Sequence, residues 1–515
     1  LLCHERFIFR FGVDRVLLIL GDRFQKKGHE VTLCGQKFDD ETATHFNTIQ
    51  IPQFNPYYES DLRTTEWLQD NWIKYFSNAI PEIILTAGWP FFSSIPFFIS
   101  KSSKVIFMEC GITPKEGLND GEQKNLNNLC LLKSSYIKYA SGIATISQFL
   151  MSSQVYSNKP SGLLRTIHLA ADHAINPLWT HSGLKALDIH SFFTNRPVIV
   201  LLGRFETGNY KQCEWVFPYA RKLKQQYEQI RIYVLSEMIR DLPKDLKDTV
   251  LPLGYLSDDA LFEVIKNADL TVCFSRWEGF NLPLAESLYL ETPCLVLNCG
   301  AHPEVVADDW LLCETLEDFI KKSQILLSGK GPKSLIEKKW LEGYRNKFSW
   351  DRVANEYLEL FNDIITKPTE SQCCKSVFPN RDDIMFVDIT NASKDPANSG
   401  VVRVCRRLSA QLQHYRDLIF VVWDRQLGTF RFPTNQEFIQ AGKYQGPFKP
   451  INHPTSASAV PMLISDWLNL NGSFAGWLLI PEIRQEEDFK LIRRQAKSLG
   501  LKIASIFFDS IALDR

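Results

Sequence analysis

Apolar and polar positions repeat along the chain in one cycle: a short apolar run, a polar loop, then a helical stripe. Apolar residues at positions 13, 16, 17, 20 and 24 mark one face of a helix over 13–27. Gly28 follows where a C-terminal cap belongs, and residues 30–34 read as a strand. Further buried strands are predicted at 80–86, 105–108 and 142–146. A second run begins at Pro197. It holds strands at 198–203, 231–235, 251–256, 270–274 and 294–298. Helices are expected over 211–228, from Ser257-Asp258-Asp259 to Asn267, from Pro283, and over 350–365. Ser257 caps its helix, with acids in the first turn. Strands alternating with helices predict the α/β class with mostly parallel sheets.

Residues 168–180 connect the two runs. Polar residues 366–383, with Pro368 and Pro379, read as a linker. The cycle then restarts with a strand at 384–389, a helix at 401–412 and a strand-like run at 503–508. Gly400-Val401-Val402-Arg403-Val404 repeats Gly12-Val13-Asp14-Arg15-Val16 with one change, Val402 for Asp14, in the same strand–loop–helix setting.

Length and composition narrow this picture. A chain of 515 residues has room for about three or four domains, each with its own core. Lys+Arg 58 against Asp+Glu 59 leaves no basic footprint, which argues against a nucleic-acid partner. The 12 cysteines form no C-x-x-C pair, and only Cys373 and Cys374 are adjacent. With no secretory signal at the start, reduced thiols and a cytoplasmic location are expected, leaving the sequons at Asn391 and Asn471 unused. Residues 83–100 carry no charge but hold Gly88, Pro90 and Pro96, so a strand, a loop and a helix start fit better than a bilayer span. A peripheral membrane contact stays open. The start Leu1-Leu2-Cys3 and the stop at Arg515 look cut, and a fragment of a longer polypeptide is expected.

The strongest candidate for chemistry is Glu278-Gly279-Phe280-Asn281-Leu282-Pro283-Leu284-Ala285-Glu286, between a predicted strand and helix. In a parallel sheet that turn lies at the carboxyl edge, where ligands bind. Pro283 suits a helix start, leaving the amides around Gly279 to Leu282 free for an anion. A carboxylate at Glu286 could accept sugar hydroxyls, although isolated acids at a helix start commonly only cap it. Arg204 and Lys211, after the strand at 198–203, could clamp a diphosphate, or could simply be solvated cations. Gly12 could let the backbone approach a ligand, or be a plain turn glycine. His302 could reach the cleft or sit in an exposed loop, and Asp172 and His173 are equally ambiguous. Gly329 to Ser334 fails the phosphate-loop spacing. The absence of G-x-G-x-x-G argues against nicotinamide or flavin cofactors, and no Cys/His cluster suggests a metal site.

From Leu1 to about Ile365 the sequence resembles the retaining nucleotide-sugar glycosyltransferases of family 4, the group 1 transferases. The resemblance rests on Glu278 to Glu286 as an E-x7-E motif. Gly12 to Val16, Lys27 to Val31, Gly203-Arg204, Leu253 to Leu256, Ala268-Asp269 and Thr292-Pro293 support it. It implies a GT-B architecture of two facing Rossmann-like domains, here 1–170 on the acceptor side and 171–366 on the donor side. It also implies Glu286 at the donor ribose, Glu278 at the transferred sugar, and Arg204 with Lys211 at the diphosphate. The Gly12 loop would close from the acceptor side, and no metal or other cofactor would be needed. The partners would be a nucleotide sugar donor and a glycan or lipid-linked hydroxyl acceptor, at the inner face of a membrane if a peripheral contact exists.

Asn281 departs from the family's usual glycine, and Lys211 lies two residues later than the usual spacing. The histidine that often follows the fourth acceptor-domain strand is replaced by Glu109-Cys110, and the first strand looks largely missing. Beyond the linker at 367–383, residues 384–515 resemble the start of a second such transferase, without an E-x7-E half. Tandem transferases of this kind imply a role in surface-polysaccharide assembly. A nucleotide-sugar-binding scaffold without turnover, or a sugar phosphorylase or epimerase of similar fold, are the rival readings.

Overall fold

The computed structural model describes residues 1–9, 12–54, 60–153, 163–176, 192–239, 241–254, 256–366, 385–450, 453–456, 462–465 and 476–506. The linker at 367–383, the Cys373–Cys374 pair, the sequon at Asn471 and the Phe507-Phe508-Asp509 cue lie outside them. Three mostly parallel sheets carry the chain. The first has seven strands, in the spatial order Asn47–Gln50, Thr32–Gly35, Leu2–Cys3, Ile83–Thr86, Lys104–Glu109, Gly142–Thr145, Leu163–Thr166. The second has six: Val250–Pro252, Arg231–Leu235, Val198–Arg204, Leu270–Cys273, Cys294–Leu297, Leu312–Cys313. In both, the earliest strand lies inside the sheet and the chain runs outwards first one way and then the other. The reversal point leaves a crevice at the carboxyl ends of the strands.

Apolar strand residues explain the sheets. Val198 to Leu202, Leu270, Val272 and Cys294 to Val296 are all at most 4% exposed, as expected for strands covered on both faces by helices. Residues 83–100 form the strand Ile83–Thr86, a loop and the short helix Ser94–Ser100. Among the described residues no helix is long and apolar enough to cross a membrane.

One helix begins later than its periodicity predicts. Residues 213–215 form a short tight turn, and the regular helix is Val216–Lys224. Gln212 takes a left-handed backbone (φ 48°), and Pro218, which would break the interior of a helix begun at 211, fits the first turn of one begun at 216. Lys211 is thereby left in the loop.

The helix Trp350–Thr366 follows the second sheet in sequence but packs on the first lobe. Phe361 meets Phe24 with ring centroids 5.5 Å apart, and Arg165 Nη2 donates to Asp363 at 2.8 Å. The third sheet orders Thr429–Arg431, Leu418–Asp424, Met385–Asp388, Trp477–Ile480, Lys502–Ser505, with only Thr429–Arg431 antiparallel. Its helix Gly400–Leu412 starts at the glycine that repeats Gly12, where Gly12–Lys26 starts in the first lobe. Leu427 and Leu463 join the first-lobe core that holds Leu68 and Trp72, so the third unit docks on that lobe.

Candidate active site

At the reversal point of the second sheet, the loop after Val198–Arg204 faces the turn after Leu270–Cys273. That turn ends at Asn281, whose left-handed backbone (φ 74°) and side chain start the helix Leu282–Tyr289, Oδ1 accepting from Leu284 N at 3.2 Å. Its Nδ2 lies 2.9 Å from His302 Nε2 and donates to Cys273 Sγ at 3.4 Å, while His302 Nδ1 lies 2.8 Å from the Leu297 carbonyl. An asparagine tolerates this backbone and ties the turn to its neighbours, which explains why it can stand where glycine is usual. Neither expectation for His302 holds: it is fully buried, neither in the cleft lining nor in an exposed loop.

With Pro283 next in line, the amides of Gly279, Phe280 and Asn281 have no hydrogen-bond acceptor among the described residues. Gly279, Phe280 and Asn281 line an interlobe cleft of about 280 Å³. The first lobe supplies Gly12 and Cys110 to it. The second supplies Lys211 and the turn from Glu278 to Leu282. Lys211 Nζ donates to Glu278 Oε1 at 2.6 Å, and Asn209 Oδ1 accepts from the Lys211 amide at 2.9 Å. Burial works against the lysine charge, but the Glu278 carboxylate outweighs it and holds the ammonium above the ordinary lysine range. Burial, and then the charge of Glu109, pushes the Cys110 thiol up to about 12, so a neutral thiol lines the cleft. Glu109 itself is turned inward onto Lys133 Nζ at 2.5 Å.

The lobes approach through glycines. A Cβ on Gly279 would stand 2.7 Å from the Cys110 carbonyl oxygen, and one on Gly111 2.8 Å from the Trp277 ring. Glu304 of the second lobe accepts from the amides of Gln148 and Phe149 at 2.6 Å each and lies 2.7 Å from His168 Nε2.

Two predicted residues stand elsewhere. Arg204 does not line the cleft; its side chain is 75% exposed and pairs with Glu206 Oε1 at 3.1 Å. Glu286 does not line it either. It is 2% exposed, and its Oε1 accepts from Arg15 Nη1 and from His173 Nε2, each at 2.9 Å. Burial alone would raise the Glu286 pKa, but His173 and Arg15 outweigh it and hold the carboxyl below its ordinary range. Trp350 Nε1 donates to His173 Nδ1, so the imidazole proton sits on Nε2 and points at Glu286. Asp172 accepts from the Trp350 amide at 2.7 Å, which gives it a structural task. Sequence reasoning gave Arg15 and Asp258 no part in the site; Arg15 stood within the quoted Gly12–Val16 segment, but nothing local announced its partners.

The cleft thus joins a cation, free amides, a carboxylate and close-approaching glycines, a set suited to an anionic ligand bearing hydroxyls. Among the described residues no group of three or more His, Cys, Asp or Glu is arranged to hold a metal ion. Residues 196–329 match the family model of the glycosyl transferases group 1. The fold is that of the GT-B glycosyltransferases. Sucrose-phosphate synthase from Thermosynechococcus elongatus is similar at a TM-score of 0.54 and 15% identity, over 71% of this chain and 98% of that one. Anabaena HepE, solved in complex with UDP and glucose, is similar at a TM-score of 0.52 and 13% identity, over 70% and 98%. A curated relative, an uncharacterised glycosyltransferase of Methanocaldococcus jannaschii, is 23% identical over 174 residues, which is 32% of this chain. That match spans only 44% of the relative's length.

Proposed function

We propose that the chain transfers a sugar from a nucleotide diphosphate sugar to a hydroxyl acceptor, with retention of configuration, as a family 4 enzyme. The observation that carries this reading is the cleft that Lys211 and Glu278 share with Gly279 to Asn281, whose amides have no acceptor among the described residues. In this reading the sugar C1–O bond breaks with its electron pair leaving on the diphosphate. The acceptor oxygen joins C1, and its proton passes to the departing diphosphate. Lys211 and the amides stabilise the charge that develops there, Glu278 holds sugar hydroxyls, and Glu286, buried and outside the cleft lining, holds the ribose through its Oε2 only where the donor extends beyond that lining. Preorganised donors of this kind are worth roughly 2.7–4 kcal/mol each when removed. Arg204 joins the diphosphate only by leaving Glu206.

The neighbour solved with UDP and glucose supports a nucleoside diphosphate as the leaving group. The acceptor is a glycan or a lipid-linked hydroxyl, and the reaction needs no metal ion. A cytoplasmic site, at the inner face of a membrane where the acceptor is lipid-linked, fits that pairing. The third unit would be the start of a second transferase-like unit, and surface-polysaccharide assembly the setting. The outward-facing Arg204 favours one alternative, a scaffold that binds nucleotide sugars without turnover. A panel of nucleotide sugars, scored both for thermal stabilisation and for donor consumption, separates the two. Consumption with formation of a glycoside of unchanged anomeric configuration supports the transferase. Stabilisation without consumption favours the scaffold.

A further inference from the structure

Arg15 stands in the helix Gly12–Lys26 of the first lobe, yet its side-chain hydrogen bonds end in the second. Nη2 donates to both oxygens of Asp258, at 2.8 and 2.7 Å, and Nη1 donates to Glu286 Oε1 at 2.9 Å. All three side chains are nearly enclosed, at 11%, 15% and 3% exposure. The guanidinium lies 5.2 Å from the ring centroid of Phe9 in its own lobe. Asp258 opens the helix capped by Ser257, and Glu286 lies on the helix that follows the cleft turn. One guanidinium therefore joins a helix of the first lobe to two helices of the second.

Arg15 and His173 both meet Glu286 Oε1, and among the described residues no hydrogen bond ends on Oε2. With one oxygen held from both lobes, the orientation of the carboxylate is set and the other oxygen is left for a hydroxyl. We infer that Arg15 is a positioning residue for donor binding: reaching across the lobes to Asp258 and Glu286, it lets lobe closure orient the carboxylate that meets the donor. This rests on the reading of Glu286 as the ribose carboxylate. At about 280 Å³ the closed cleft lies just below the roughly 300–1,000 Å³ of small-molecule sites. The donor enters with the lobes apart, and the Arg15 grip forms as they close. A planar fork can serve two carboxylates at once, which a single ammonium does poorly.

The test is calorimetric titration of uridine, adenosine and guanosine diphosphates into the intact chain, using wild type, Arg15→Ala, Glu286→Gln and the double variant. Each single change should weaken binding about tenfold or more, and Arg15→Ala should add less than about twofold in the Glu286→Gln background. Arg15→Lys should recover only part of the loss. Should Arg15→Ala fail to fold, Asp258→Asn serves in its place, with a severalfold loss expected in wild type and none in Glu286→Gln. No loss, or an equal loss in both backgrounds, overturns the inference and leaves the Glu286 reading standing. Undiminished binding by Glu286→Gln, or no binding by wild type, overturns that reading and the inference with it.

Discussion

Lys211 Nζ and Glu278 Oε1 stand 2.6 Å apart at the mouth of the cleft, although 67 positions separate the two residues in the chain. The pair pre-sets a cation where the proposed diphosphate would lie, and a phosphate oxygen would compete with Glu278 for the ammonium. Lys211→Ala should lower donor turnover by about two orders of magnitude, the loss expected for one preorganised donor. Donor consumption measured beside a melting curve checks this, so that an unfolded variant is not mistaken for an inactive one.

Gly279 and Gly203 should respond to alanine for different reasons. At Gly279 the new methyl would press on the Cys110 carbonyl at 2.7 Å and hold the lobes apart, so donor KM should rise along with a stability loss of about 1–3 kcal/mol. At Gly203 nothing lies within 4 Å, but φ is +82°, so alanine should cost only about 1–2 kcal/mol through backbone strain. Denaturant unfolding of the two variants, with KM for the donor, distinguishes steric from conformational cost.

His453 makes the third unit sensitive to acid. Its Nε2 accepts from the Phe420 amide at 2.7 Å, and burial lowers its pKa from 6.5 to about 4. A histidine depressed in the folded state adds stability that is complete above pH 6.5 and is lost as pH falls through about 4. Across that interval the loss is on the order of 3 kcal/mol. His453→Gln does not titrate, so the difference between wild type and variant should be flat above pH 6.5 and change below it. Hydrogen exchange of peptides from Leu418–Asp424 reports this.

Leu427 is 4% exposed and packs into the core of the first lobe from the third unit. Leu427→Ala should loosen that docking, at up to about 2–5 kcal/mol for a fully buried leucine. Limited proteolysis should then cut between the units sooner, with cleavage within the first lobe unchanged.

Much of the fold was legible because local chemistry fixed it. Ser257, with its acids, marked the helix Asp258–Asn267, and the apolar runs marked the inner strands. The turn from Glu278 to Leu282 was legible too, since Pro283 and the glycine announce a helix start with bare amides. What stayed hidden depends on partners far away in sequence. Arg15 and Glu286 meet across 271 positions, and nothing near either one signals the other. His302 stayed open between the cleft and an exposed loop because its partners, Asn281 and the Leu297 carbonyl, lie on other elements. The helix Trp350–Thr366 carries a clear apolar stripe, but the stripe does not say which lobe receives it. Lys211 fell inside the helix predicted over 211–228, although Pro218 does not fit the interior of a helix begun that early.

Hydrogen–deuterium exchange of peptides spanning Gly279 to Leu282, with and without saturating nucleoside diphosphate, shows whether the bare amides of the cleft turn hold a diphosphate. Exchange at the Gly279, Phe280 and Asn281 amides should slow when the nucleotide binds, and the slowing should be lost in Lys211→Ala. Calorimetric binding of the nucleotide with no change in exchange at those amides would show that the diphosphate lies elsewhere.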